Sequence, residues 1–550
     1  MCRHQSSAVI DVNTNSNFKE VVTKHTEIDV TIDFERTVLV GSTIIIFESR
    51  LASLTEITLD TSYLIVRQAT INGTRVSWDL KASKDANGSP LHIYLDRAYE
   101  NGEAFKLAGE PVHARSMFPC QDTPSIKTTF DMTIRSILPV VASGIPEDDL
   151  IFPPVQEPLE LKTYKFKQEI PISNYLFAVA SGNLAGEKIG PKSYVYCAPG
   201  DLEACKAEFK PDLQAIIKSA ENLIFEYPWP LYNLVVLPKS FHLGGMENPV
   251  FNFYSATVVS GDRENIGVVA HEFAHSYSGN LVTNDAWEHF WLNEGWTVYI
   301  ERCILRDLRG EEAVQLEAIV GWQDLLYNIE AYGGNESVFT SLVLEFQGKR
   351  PDDIMSKISY EKGYTFLCFL EQQVGREKWH KFVPHYFKTF FGKSVNSQQF
   401  KNCVLEFFSQ DVYAAAALHT VDWETWYHKP GAPPKPMFDS SLYRDCIELC
   451  DKWKMLSSNE SAFTPSSKDV EGWTVGQLLV FLDLLIESSS PIPKQFSHAL
   501  GSQYGLLSSG NLEVVSRYLR VALRAGDESV LKQTEEVLSQ TGRMKFVKPL

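Results

Sequence analysis

HEFAHSYSGNLVTNDAWEHFWLNEGWTVYIE, from His271 to Glu301, decides how this chain is read. Its first five residues set two imidazoles four positions apart, which on a helix puts His271 and His275 one above the other on the same face. Two neutral imidazoles held that way make half of a tetrahedral zinc site. Glu272 lies about 100° further round the helix, beside the metal rather than aimed at it, where a general base for an activated water stands. Eighteen residues separate His275 from Glu294, which sits in a second apolar-rich, helix-like segment and can return as third ligand. Glu301, two turns after Glu294 on nearly the same face, is placed to hold the free ring nitrogen of a ligand histidine. The bare pentapeptide would also fit a charged helix face with two incidental histidines. The downstream Asn293-Glu294-Gly295 leaves that alternative little room.

The bulk properties agree with an ordinary globular protein. A chain of 550 residues exceeds one hydrophobic core and implies two to four domains. The formal charge of −18, from 51 basic and 69 acidic side chains, argues against a nucleic-acid partner. Nine cysteines without repeated spacing read as reduced thiols rather than a disulfide framework. No stretch approaches the roughly 18 apolar residues of a membrane span, and the N-terminal MCRHQSSAVIDVN lacks the apolar core of a secretory signal. The expected location is the cytosol, with no membrane association.

Working outward, residues 1–195 read as an all-β domain. Ile28, Val30, Ile32 and Phe34 alternate with polar residues at the period of a half-buried strand, and further β-type runs follow, punctuated by Gly, Asn, Asp and Pro. Near 200 the period changes to largely helical, with Pro211 a candidate boundary, then a strand in LYNLVVLP and several helices; residues 196–427 form the mixed domain around the metal. HKPGAPPKPM, within the linker 428–438, carries four prolines and favours an extended spacer. Residues 439–550 show amphipathic segments that suggest paired, HEAT-like helices.

GGMENP (Gly244–Pro249), the opening stretch, FPCQDTPS from Phe118, SYEKG from Ser359 and TGRMKF from Thr541 together resemble the gluzincin aminopeptidases (peptidase family M1), in particular their leukotriene A4 hydrolase/aminopeptidase branch. The resemblance covers nearly the whole chain. It implies a multidomain α+β protein with an N-terminal all-β domain, a thermolysin-like zinc domain and a C-terminal α-helical domain. It implies one Zn2+ per chain on His271, His275 and Glu294, with Glu272 as the base. Gly244, Gly245, Met246, Glu247 and Asn248 would bind substrate, Glu247 taking the free α-ammonium of a peptide. Tyr360 would donate to the tetrahedral oxyanion, and Arg543 and Lys545 would anchor a substrate carboxylate. Asp352 matches a residue tied to epoxide opening.

This chain departs from the family pattern in places. Met355 stands where leukotriene-handling members carry Tyr, and Ala108 and Glu110 replace a Gln-x-Gln pair; Glu110 could still help bind the ammonium. The stretch 95–113 is about thirty residues shorter than the family leads one to expect, and the C-terminal domain is also short. The leading expectation is a zinc aminopeptidase acting on short peptides with a free N-terminus. Epoxide hydrolysis of leukotriene A4 at the same zinc is a second activity, and a shortened, non-catalytic binding scaffold is the alternative.

Overall fold

The computed structural model describes residues 11–83, 87–109, 114–150, 152, 159–438, 441–456 and 463–550. The 13-residue strand Val21–Asp33 organises the first domain. It pairs antiparallel with Val38–Ser49 and parallel with Lys127–Ser136, at the centre of an eight-stranded sheet. A three-stranded sheet built on Leu54–Thr61 and Ser89–Tyr99 packs against it. Val21, Ile45, Phe47, Leu59 and Ile93 fill the space between the two. The alternation read in the sequence thus puts one face of each strand into a shared core. In the shortened stretch a turn at Glu100–Glu103 joins Ser89–Tyr99 to Ala104–Gly109, and the latter pairs with both Val38–Ser49 and Ala69–Ile71.

Two readings need correction. Strands Ala185–Gly190 and Ser193–Cys197, assigned from sequence to the β domain that ended at 195, belong to the second domain: Ser193–Cys197 pairs parallel with Asn233–Leu237 in a five-stranded sheet. Periodicity marks a strand but not which sheet it joins. Nor does Pro211 break its helix, which runs unbroken from Leu202 to Leu223. Cys205, Phe209, Leu213, Ile216 and Ala220 are buried on both sides of the proline, and that packing outweighs one lost backbone hydrogen bond.

Gly245–Met246 forms the edge of the five-stranded sheet, paired on one side only, with Phe251–Ser255. The helix Ile266–Ala274 packs against this strand, Trp291–Arg309 packs on that helix, and Lys357–Val374 packs on Trp291–Arg309. Residues 429–437 carry no helix or strand. Beyond them, helices Ser441–Met455, Val475–Glu487 and Leu512–Arg524 enclose a separate core of Trp453, Phe481, Leu482, Tyr518 and Leu519. The chain then returns to the second domain: Gly542 N–H donates to Lys239 O at 2.8 Å and Met544 N–H to His242 O at 3.3 Å. No described helix is long and apolar enough to cross a membrane.

Candidate active site

His271 lies in the last turn of Ile266–Ala274 and His275 caps its C-terminus, where the helix dipole favours positive charge. His271 Nδ1 is 2.8 Å from Glu301 Oε2, and His275 Nδ1 is 2.8 Å from Ser278 O. A carboxylate and a carbonyl only accept, so both Nδ1 atoms carry a proton, and in the neutral rings that a metal binds both Nε2 atoms present the lone pair. Those Nε2 atoms face Glu294 Oε2 at 3.6 and 3.4 Å, beyond good hydrogen-bond length. Glu294 Oε2 is buried and has no hydrogen-bond partner. An orphaned carboxylate oxygen opposite two imidazole lone pairs, all within 4.8 Å of one another, is a donor set suited to a tetrahedral N2O zinc site with an open position.

The electrostatics point the same way. Burial alone would lower the histidines. The carboxylates of Glu294 and Glu301 around His271, and of Glu247 and Glu294 around His275, outweigh it and raise them to about 9 and about 10. Burial would raise Glu294, but the two imidazoles pull it down to about 2. The pocket is therefore built to hold positive charge.

Glu272 is 4% exposed. Burial pushes its carboxyl up to about 7, against the pull of His271 and His275 and helped by Glu247 and Glu294. A base poised there can take and return a proton near neutral pH. Glu247, Glu272 and His275 offer atoms within 4.8 Å of one another. The edge strand passes directly over Glu272: a Cβ on Gly245 would lie 2.3 Å from Glu272 Oε1. A side chain at Gly245 would displace the Glu272 carboxylate. Met246 is half-buried on that strand, and Asn248 is buried just beyond it.

Tyr360 comes from Lys357–Val374, whose Ser356 N-cap accepts from Ile358 N–H. Its ring stacks on His271 at 5.9 Å between centroids and meets Phe290 edge-on at 6.1 Å. Burial, with the charges of Glu294, Glu247 and Glu272, holds its phenol well above the usual range, so it stays an O–H donor. Arg302 on the Glu294 helix pairs with Glu361 at 2.8 and 2.9 Å, locking that helix to the one carrying Tyr360.

The returning C-terminal segment brings in Arg543, which is 8% exposed and donates from Nη1 to Thr257 Oγ1 at 3.1 Å. Its Nη2 lies 2.7 Å from where a Cβ on Gly244 would stand. Lys545 reaches the same place, 2.9 Å from Glu513. Asp352 stands apart, exposed on the short helix Pro351–Ile354 and outside the donor groups around the histidines. Glu110 lies outside the described residues.

Sequence reasoning gave no role to several residues that shape the site. Tyr175, from the β domain, donates to Gly279 O at 3.3 Å and accepts from Asn293 Nδ2 at 3.2 Å. Burial and the nearby Glu247 and Glu294 raise its phenol well above the usual range. Lys127, also from the β domain, donates to Asn280 O and Leu281 O at 2.9 and 2.8 Å, and Asn280 Nδ2 donates to Glu247 O at 2.7 Å. The β domain thus braces the turn that holds Glu247. Neither Tyr175 nor Lys127 carries a local motif. Asn280 and Thr297, whose hydroxyl is 3.1 Å from His275 Nδ1, lay in plain view inside the opening stretch.

Comparison with known proteins completes the picture. The peptidase family M1 domain matches residues 208–426, the peptidase M1 N-terminal domain 93–176, and the leukotriene A4 hydrolase C-terminal domain 473–550. Leucine aminopeptidase 2 of Coccidioides immitis is 42% identical over 98% of this chain and 92% of its own length. A leukotriene A-4 hydrolase homolog of Botryotinia fuckeliana is also 42% identical, over 98% of this chain and 88% of its own. The structure of yeast LTA4 hydrolase in complex with bestatin superimposes with a TM-score of 0.92 at 35% identity, covering 100% of this chain and 92% of that one. The expected three-domain architecture is thus found, and the scaffold alternative finds no support. The chain belongs to peptidase family M1, the zinc metallopeptidases, and is a hydrolase of its aminopeptidase/leukotriene A4 hydrolase branch.

Proposed function

We propose that this chain removes the N-terminal residue from short peptides, using one zinc ion held by His271, His275 and Glu294. When bound, zinc supplies Lewis acidity and lowers the pKa of its water towards about 7. Glu247 receives the α-ammonium and fixes the first peptide bond beside Glu272. Gly244, Gly245 and Met246 line an edge strand whose outer side, at Gly245, is open to an extended substrate. Glu272 takes a proton from the attacking water and passes it to the departing amine. Tyr360 O–H donates to the developing oxyanion, a contribution of about 3 kcal/mol. Arg543 and Lys545 hold the C-terminal carboxylate of a short peptide.

One observation carries this reading: Glu247 shares a 4.8 Å cluster with Glu272 and His275, so a cation-binding carboxylate stands one residue's length from the base. A chelator-sensitive assay over aminoacyl amides, tripeptides and their N-acetylated forms tests it. Cleavage of free tripeptides but not of N-acetylated ones is expected. Equal turnover of both would remove Glu247 from its role.

Buried Arg543 beside the cleft also favours a second reading, hydrolysis of the leukotriene A4 epoxide with its fatty-acid carboxylate on Arg543 and Lys545. Asp352, the residue that resemblance linked to epoxide opening, is exposed. Incubation with the epoxide and no enzymatic dihydroxy product would eliminate this activity. The eight described cysteines are free thiols, which suits a reducing compartment, and we propose the cytosol.

A further inference from the structure

We infer that Glu513 is a specificity-setting positioning residue: an internal counter-anion that leaves the carboxylate anchor with one surplus positive charge, matched to a single substrate carboxylate. The inference rests on the reading of Arg543 and Lys545 as that anchor. Glu513 is 6% exposed, in the first turn of Leu512–Arg524. Its carboxylate lies 2.9 Å from Lys545 Nζ, 2.8 Å from Arg517 Nη1 and 3.7 Å from Arg543 Nη1. Arg517 Nε in turn donates to both oxygens of Asp483 at 2.9 Å. Among the directly paired groups three cations share two carboxylates, and the more distant Glu272 carboxylate also acts on Arg543. Arg543 is the cation of this cluster that reaches the active site, its Nη2 abutting Gly244.

The counter-anion is rigidly registered to the metal site. Asn511 caps the Glu513 helix by accepting from Glu513 N–H at 3.0 Å, and its Nδ2 donates to Asp262 at 3.1 Å, just before the helix of His271 and His275. Glu513, Arg517 and Arg543 are buried, so their charges act on one another with less screening than at a surface, while Lys545, 49% exposed, couples to them more weakly. A substrate carboxylate completes the neutralisation, an amide does not, and a C-terminal aspartate overshoots it. Glu513 and a substrate carboxylate are rivals for the same cations.

The test measures kcat/KM on a tripeptide ending in alanine, its C-terminal amide, and the same peptide ending in aspartate. E513Q is expected to raise the carboxylate-over-amide ratio on the order of tenfold, through KM, and to favour the aspartate-ended peptide. R517Q removes a cation and is expected to lower the ratio; E513D, which keeps the charge, stays near wild type. R517Q and E513Q move the ratio in opposite directions, so a folding failure of one leaves the other to decide. An unchanged or reduced ratio in E513Q, or an unchanged ratio in R517Q, overturns the inference. R543A separates it from its premise. If R543A leaves the ratio untouched, the anchor is misassigned; if R543A collapses the ratio and E513Q fails to raise it, only the role of Glu513 falls.

Discussion

Gly295 and Gly363 meet backbone to backbone: a Cβ on Gly295 would stand 2.8 Å from Gly363 Cα, and one on Gly363 would stand 2.9 Å from Gly295 Cα. The two helices that carry Glu294 and Tyr360 therefore cross with no side chain between them. This explains why Asn293-Glu294-Gly295 and Tyr360-Glu361-Lys362-Gly363 each pair a residue of the proposed site with a nearby glycine. The close crossing brings the phenol of Tyr360 over His271. Gly295→Ala is expected to cost about 1–3 kcal/mol by overpacking and to depress kcat by shifting Tyr360. A thermal melt with turnover measured on the same sample checks both, and an unshifted melt would mean the helices part freely.

Glu301 orients His271 through its Nδ1 without being positioned as a ligand. Glu301→Gln should weaken zinc binding by about 10–100-fold while the fold persists. Competition with a chromogenic chelator measures this directly, and wild-type affinity would refute the assignment.

The roles proposed for Glu272 and Tyr360 are separable by experiment. Glu272→Gln should keep its zinc and lose turnover by at least about 10²–10⁴-fold. Tyr360→Phe should lose about 10²–10³-fold in kcat with little change in KM. Metal content by elemental analysis alongside steady-state kinetics distinguishes these outcomes from loss of the site.

Lys127 makes stability depend on pH in a particular direction. Burial lowers its pKa from the ordinary 10.5 to about 7, with two carbonyls as its hydrogen-bond partners. Between those values the unfolded chain holds a proton that the folded chain has released. Stability should therefore rise with pH across that window, and its cost is fully present below about 7. Lys127→Met should flatten that rise. It should also cost about 1–3 kcal/mol at high pH by taking the Lys127 donor from Asn280 O, while Leu281 O keeps the Gly392 N–H. Chemical denaturation at pH 6.5, 8 and 9.5 would show parallel curves for the two proteins if Lys127 were not responsible.

Much of the site was legible in the chain because its chemistry is local. His271, Glu272 and His275 fall within one helical turn, and Glu294 and Glu301 share a second helix, so spacing alone puts their side chains on defined faces. The change from strand to helix period near 200 and the proline-rich linker followed from the same short-range physics. The limits of that physics show in Pro211, which tertiary packing carries through a helix, and in Ser193–Cys197, whose parallel partner Asn233–Leu237 determines its sheet.

What tertiary structure alone decided are contacts between distant residues. Arg543 meets Thr257 across 286 positions, Lys127 meets Asn280 across 153, and Gly295 meets Gly363 on another helix. No window of neighbouring residues contains both partners, so no period or cap encodes them; they form only when packed cores bring remote surfaces together. The sequence by itself determined which groups could bind a metal and move a proton. The packing of three domains around His271–Glu301 decided which charges surround those groups, which backbone edge faces them, and where Glu513 stands beside the cations at the far end of the cleft.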